Sequence, residues 1–271
     1  MSEADLCDRY LHLLGVQPGK ADLDTLEEVV RSQLTLVPFE NISKLYYKRR
    51  TGLHRLIGFE EHLDGIQHHN FGGTCYANNY YLYRLLVYLG YDARLCGADM
   101  SNPDVHIVTM VRIDEREFLV DAGYGAPFLI PIPLDASEDV VISLGNERYI
   151  LKPREPDGCS RLQMFRDGVL KHGYRAKPAP RQIAEFDSVI KQSFDAAATF
   201  MNAVVLIRFE PGRSYVIRNL TFTESHNTHA HTQNLANREE LTTCIMDVFG
   251  ISRSVVCEAL TQVPCFNDVW D

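Results

Sequence analysis

The chain is poor in the features that settle a protein's class at a glance. It has one tryptophan in 271 residues, and no apolar run approaches the roughly 18 to 20 residues needed to cross a bilayer. It has no CxxC pair, so a zinc ribbon or a dithiol redox site is not expected, and no metal is assigned. It lacks positive charge in excess: 27 lysines and arginines face 36 aspartates and glutamates, for a net charge of -9. An acidic surface repels phosphate backbones and anionic lipid, which argues against nucleic acid and membranes as partners. Residues 1–15 carry acids early and have no basic stretch ahead of an apolar one, unlike a secretory signal, so a cytoplasmic location is expected. There is no internal repeat and no low-complexity segment.

What is present is an ordinary globular composition, 45% hydrophobic and 23% charged. The length suits two or three small modules packed together. Seven cysteines (Cys7, Cys75, Cys96, Cys159, Cys244, Cys257 and Cys265) are odd in number and irregular in spacing. They are expected to be reduced and mostly buried, with one available for chemistry.

Apolar spacing predicts a helix over 5–14 ending at Gly15, and a second from Asp22 or Asp24 to about Leu36, ahead of Pro38. Residues 39–70 resist assignment, and Lys48-Arg49-Arg50 reads as a solvated loop. A glycine turn, Gly72-Gly73, leads into a helix over 75–89, with Thr74 as a candidate cap and Gly90 as its end. The period then changes. Residues 93–96, 106–113 and 117–120 read as strands, and 131–176 as short strands separated by turns, which together make a small barrel or curled antiparallel sheet. A helix over 181–194, a hairpin over 203–222, and helices over 237–249 and 253–260 complete an α+β order.

Cys75 would sit in the first turn of its helix, where unpaired N–H groups and a partial positive charge favour a thiolate. The amides of the glycine turn are candidates to stabilise an oxyanion. His106 opens one apolar strand and Asp121 closes the next. In a tight antiparallel pair the start of one strand lies beside the end of its partner, so the sequence alone brings His106 and Asp121 together. It does not by itself bring Cys75 to His106.

Four segments in order supply that link. Phe71-Gly72-Gly73-Thr74-Cys75-Tyr76-Ala77-Asn78-Asn79 resembles the arylamine N-acetyltransferase signature R-G-G-x-C-x-E/Q-x-N. Val37 to Ile42 resembles that family's V/I-P-F-E-N-L segment, and Val105-His106 and Val120 to Gly125 resemble its histidine and D-x-G-F/Y-G segments. The resemblance implies a helical bundle (1–90), a β-barrel (91–195) and an α/β lid (196–271) around a papain-like core. It implies a Cys75-His106-Asp121 triad and ping-pong transfer of an acetyl group from acetyl-CoA, as co-substrate, to an arylamine or hydrazine. No permanent cofactor is implied, the donor-binding residues are unassigned, and a monomer or weak homodimer is expected. Rival readings are an amide synthase fed by a carrier-bound acyl chain, a cysteine hydrolase, and a weakly active homologue.

Two positions depart from the signature: Phe71 replaces its arginine and Ala77 its Glu or Gln. In the family that arginine is expected to pair with the glutamate that is Glu40 here. Glu40 is therefore expected to be more exposed, or to take a cation from His68, His69, Arg49 or Arg50. Among the remaining candidates, His226, His229 and His231 form H-x-x-H-x-H in a polar setting and read as a loop rather than a metal site. Tyr76, Tyr80 and Tyr83 read as core, and Asn79 as support for the catalytic loop.

Overall fold

The computed structural model describes residues 1–266. Helix α1 (Glu3–Leu14) starts at Ser2, whose side chain and that of Asp5 cap each other's backbone, and ends on Gly15 in the left-handed conformation. Helix α2 (Leu23–Leu36) is capped by Asp22, which accepts from the Thr25 amide. A two-residue strand β1 (Phe39–Glu40) follows.

The segment that resisted assignment forms two helices, α3 (Ile42–Thr51) and α4 (Phe59–His69). Lys48, Arg49 and Arg50 lie in the last turn of α3, where cations oppose the helix dipole, so the expected loop is corrected to helix. Helix α5 (Cys75–Tyr88) carries the candidate nucleophile at its first position. Thr74 occupies the cap position, but its side chain makes no capping bond.

Strands β2 (Asp92–Asp99), β3 (His106–Ile113), β4 (Arg116–Val120), β5 (Ile132–Pro133), β6 (Val140–Leu144), β7 (Glu147–Leu151), β8 (Ser160–Arg166) and β9 (Val169–Pro180) form one antiparallel sheet in the order β5-β4-β3-β2-β9-β8-β7-β6. It curls into a nearly closed barrel. The helix expected over 181–194 is shorter and broken. Strand β9 runs to Pro180, a single 3-10 turn covers Ile183–Phe186, and α6 is only Asp187–Gln192.

After α7 (Thr199–Asn202), strands β10 (Val205–Glu210), β11 (Arg213–Arg218), β12 (Thr221–His226) and β13 (His229–Asn234) form a second antiparallel sheet, whose far edge is completed by β1. Phe39 pairs with Ile207 and Glu40 with Leu206, so the segment before α3 is sewn into the C-terminal sheet. His226, His229 and His231 stand on the exposed β12–β13 hairpin, which corrects the loop expected there. Helices α8 (Arg238–Phe249), capped by Asn237, and α9 (Arg253–Leu260) pack behind, with α9 lying against α3.

The core falls into two clusters. One joins the N-terminal helices to the barrel, and the other gathers Phe71, Cys75 and Tyr76 with residues of the C-terminal sheet and its helices. Helix α5 borders both. Among the described residues no helix is long and apolar enough to cross a membrane. All seven cysteines are free, and Cys7, Cys75, Cys96 and Cys159 are buried.

Candidate active site

The antiparallel register of β3 and β4 pairs Thr109 with Val120. That pairing sets His106, at the head of β3, beside Asp121, one residue past the end of β4. His106 Nε2 lies 2.9 Å from Asp121 Oδ2, and both side chains are almost wholly buried. An ionised carboxylate can only accept, so Nε2 carries the proton and donates it to Asp121. Nδ1 is then left as the basic nitrogen of neutral His106.

The sulfur of Cys75 faces the same imidazole, close enough that its thiolate favours the protonated ring. Its Sγ is 3.7 Å from the carbonyl oxygen of Val105, the residue before His106. Cys75, His106, Gly123 and Tyr124 share one cleft of about 360 Å³.

Burial alone would push the His106 pKa down, because the imidazolium is the charged form. The Asp121 carboxylate and, as a thiolate, Cys75 outweigh it and raise the value from 6.5 to about 10. Asp121 moves the opposite way. Burial opposes its ionisation, but the His106 cation, the Asn79 amide and the Gly123 N–H hold its pKa below the usual carboxylate value.

A histidine whose folded pKa is raised adds stability that is complete below its unfolded value and is lost as pH climbs through the folded one. The urea midpoint of the wild-type chain should therefore fall between pH 6.5 and about 10, relative to a His106→Gln variant. Parallel curves for the two proteins across that window would refute the charge state assigned to this pair.

Asn79 sits one turn into α5, on the same helix as Cys75, and clasps the loop that carries the carboxylate. Its Nδ2 donates to Asp121 Oδ1 at 2.8 Å and to the carbonyl of Ile107 at 2.5 Å, while its Oδ1 accepts from the Ala122 amide at 2.7 Å. The expected support role is thus observed. One side chain ties α5 to the strand that carries His106 and to the loop that carries Asp121.

Gly123 presses the same loop against the helix. A Cβ there would lie 2.6 Å from the Cα of Cys75. Gly72 is similarly confined, because a Cβ would meet the Pro38 carbonyl oxygen at 1.8 Å.

Neither alternative expected for Glu40 holds. It is fully buried, and its two oxygens accept from the amides of Ser43 at 2.8 Å and Gly72 at 3.0 Å. Among the described residues no cation pairs with it. Arg50 instead lies near Glu258. Burial raises the Glu40 pKa. Phe71 turns away into an aromatic group with Tyr46, Tyr47 and His69. Backbone amides and the Ser43 hydroxyl thus stand in for the missing arginine, and the N–H of Gly72, one of the candidates for an oxyanion, is occupied. The amide of Cys75, at the first helical position, has no partner within the helix.

The cleft walls include Phe39, Phe200, Tyr149 and Ile207, with Lys171 and with Arg218, which is paired to Glu147 at 3.0 Å. Sequence reasoning did not find these residues. They come from separate elements, and no local motif marks them.

A helix-borne cysteine, with histidine and aspartate delivered by neighbouring barrel strands, is the arrangement of a papain-like cysteine core. The N-acetyltransferase family profile matches residues 22–256, and the chain belongs to the arylamine N-acetyltransferase family. Arylamine N-acetyltransferase 1 of Homo sapiens is 30% identical over 138 residues, covering 47% of this chain and 46% of that protein. Arylamine N-acetyltransferase 2 of Homo sapiens is 28% identical over 207 residues, or 67% of this chain and 70% of that one. The chain thus spans about half the length of some curated relatives it matches, the first human one included.

Among solved structures, the arylamine N-acetyltransferase from Mycobacterium abscessus superposes with a TM-score of 0.79 at 18% identity, covering 94% of each chain. The Mycobacterium marinum enzyme in complex with CoA gives 0.78 at 19% identity, over 96% of this chain and all of that one. These likenesses establish the shared fold.

Proposed function

We propose that this chain moves an acetyl group from acetyl-CoA to an arylamine or hydrazine through an acyl-cysteine on Cys75. The observation that carries the reading is the convergence of Cys75, His106 and Asp121 on one cleft. The solved Mycobacterium marinum relative holds CoA, which supports the choice of donor.

In the first half-reaction the Cys75 proton already rests on His106 Nδ1, and the Sγ thiolate attacks the thioester carbonyl. The new carbon–sulfur bond forms as the one to CoA breaks, and the departing thiolate takes the proton from His106. In the second, the amine nitrogen attacks acetyl-Cys75, its proton passes to the neutral His106, and the carbon–sulfur bond breaks to restore the Cys75 thiolate beside the imidazolium. Asp121 stabilises the imidazolium in both halves and fixes its tautomer. Developing negative charge on the carbonyl oxygen would meet the free amide of Cys75.

The bundle of 1–90 would then supply the nucleophile, the barrel of 91–195 the base and its partner, and 196–271 the lid over the acceptor. Free thiols throughout suit a reducing cytoplasm.

The test measures CoA released from acetyl-CoA with and without a panel of arylamines and hydrazines. Amine-dependent release with matching acetylated amine is expected. Release that is indifferent to every amine would replace the transferase reading with a hydrolase.

A further inference from the structure

We propose that a second cavity, behind the nucleophile loop, binds a small carboxylate with an apolar body. The cavity measures about 60 Å³ and is separate from the active cleft. One ordered water needs about 10–15 Å³, so this space holds roughly four to six waters, the bulk of a short-chain or single-ring ligand. Its walls are mainly apolar, among them Leu53, Ile57, Phe71, Ala77 and Ile190. Phe71 and Ala77 are the two positions that depart from the family signature, so the wall is peculiar to what this chain carries there.

Within the apolar wall stands one charge with no carboxylate beside it, although the Cys75 thiolate lies near enough to favour it. Lys44 is buried, and its Nζ donates to Ser193 Oγ at 2.6 Å and lies 4.0 Å from the Phe194 ring centre. Among the described residues no carboxylate pairs with it. An ammonium has three donors, and the hydroxyl accepts one. The other charged groups of the cavity, Arg55 and Glu61, are half-exposed and satisfy each other at 3.0 Å. His62 also lines the space, and its Nε2 is buried without a hydrogen-bond partner. Burial depresses the Lys44 pKa to about 7, because desolvation disfavours the ammonium; a bound anion would oppose that shift. A carboxylate oxygen at Nζ would complete the donors, and an apolar body would fill the remaining space.

The cavity shares a wall with the active cleft. Gly72, Gly73 and Thr74 line it on one side, and Cys75 follows directly on the other.

Calorimetric titration with benzoate and with butyrate tests the site without using turnover, so its outcome is independent of the acetyl-transfer reading. Saturable binding in the millimolar range or tighter is expected, one ligand per chain, retained in Cys75→Ala and in the presence of CoA. Lys44→Met should weaken benzoate at least about tenfold, because truncating one partner of a charged hydrogen bond has that effect. Benzyl alcohol, with no charge, should bind weakly and ignore that substitution. Should Lys44→Met fold poorly, the Nζ resonance of Lys44 in the wild-type protein should still shift with benzoate and stay put with benzyl alcohol. No saturable binding, binding that survives Lys44→Met, an unmoved Nζ resonance, or displacement by CoA would each overturn the proposal.

Discussion

An Asp121→Asn variant should acylate Cys75 about a thousand- to ten-thousandfold more slowly than wild type while keeping its fold. Oδ1 of Asp121 already accepts from the Asn79 side chain and the Gly123 amide. An asparagine would keep its carbonyl there, because both groups are donors. Its NH2 would then face His106, at the position Oδ2 now holds 2.9 Å from Nε2. Two donors cannot share that contact, so Nε2 must give up its proton and the neutral imidazole must carry it on Nδ1. The nitrogen facing the thiol would then have no lone pair to take a proton. Rapid-quench measurement of acyl-enzyme formation with acetyl-CoA reads this directly. A rate within tenfold of wild type would mean that Asp121 neither sets the tautomer nor stabilises the cation.

A Gly123→Ala variant should lose both stability and activity. The added methyl would lie 2.6 Å from the Cys75 Cα, 2.7 Å from Asn79 Nδ2 and 2.8 Å from the Cys75 carbonyl oxygen. Two of these three atoms belong to the backbone of α5, which cannot yield without moving the nucleophile itself. Overpacking of this kind costs about 1–3 kcal/mol. A displacement of about 1 Å at the reacting atom can cost a hundredfold in rate. The comparison is Gly125→Ala. Its closest neighbour is the flexible Cδ1 of Ile207 at 2.7 Å, although φ is +77° there and the backbone is strained as well. Urea midpoints and acylation rates for both variants decide the matter. If Gly123→Ala matched wild type on either readout, the loop would not be seated as tightly as the structure places it.

A feature of this fold is legible in the sequence to the extent that its signal is local. The His106–Asp121 pair is legible from two apolar strands joined by a short turn, because antiparallel pairing leaves few other registers. The approach of Cys75 to His106 is not, since helix and barrel meet through packing between residues far apart in sequence. It follows only from the ordered family resemblance. The polar strands β12 and β13 escape detection because Thr, His and Asn carry no apolar alternation. Helices α3 and α4 are hidden for a related reason. α3 buries Ile42, Ser43, Lys44 and Leu45 in its first turn and then turns cationic, so the helical period fades.

Glu40 shows the limit of reasoning by substitution. Losing the arginine suggests an exposed or re-paired carboxylate, yet backbone amides and the Ser43 hydroxyl seat it, and no sequence pattern announces where a loop's N–H groups point.

The proposed mechanism stands or falls on where the acetyl group rests between its donor and its acceptor. The chain should be incubated with acetyl-CoA in the absence of any amine, digested, and mapped by mass spectrometry. One acetyl group should appear on the peptide containing Cys75, matched by an equal amount of free CoA. It should discharge when an arylamine is added, and it should not form in Cys75→Ala. Acetylated arylamine produced at the wild-type rate by Cys75→Ala would contradict the mechanism.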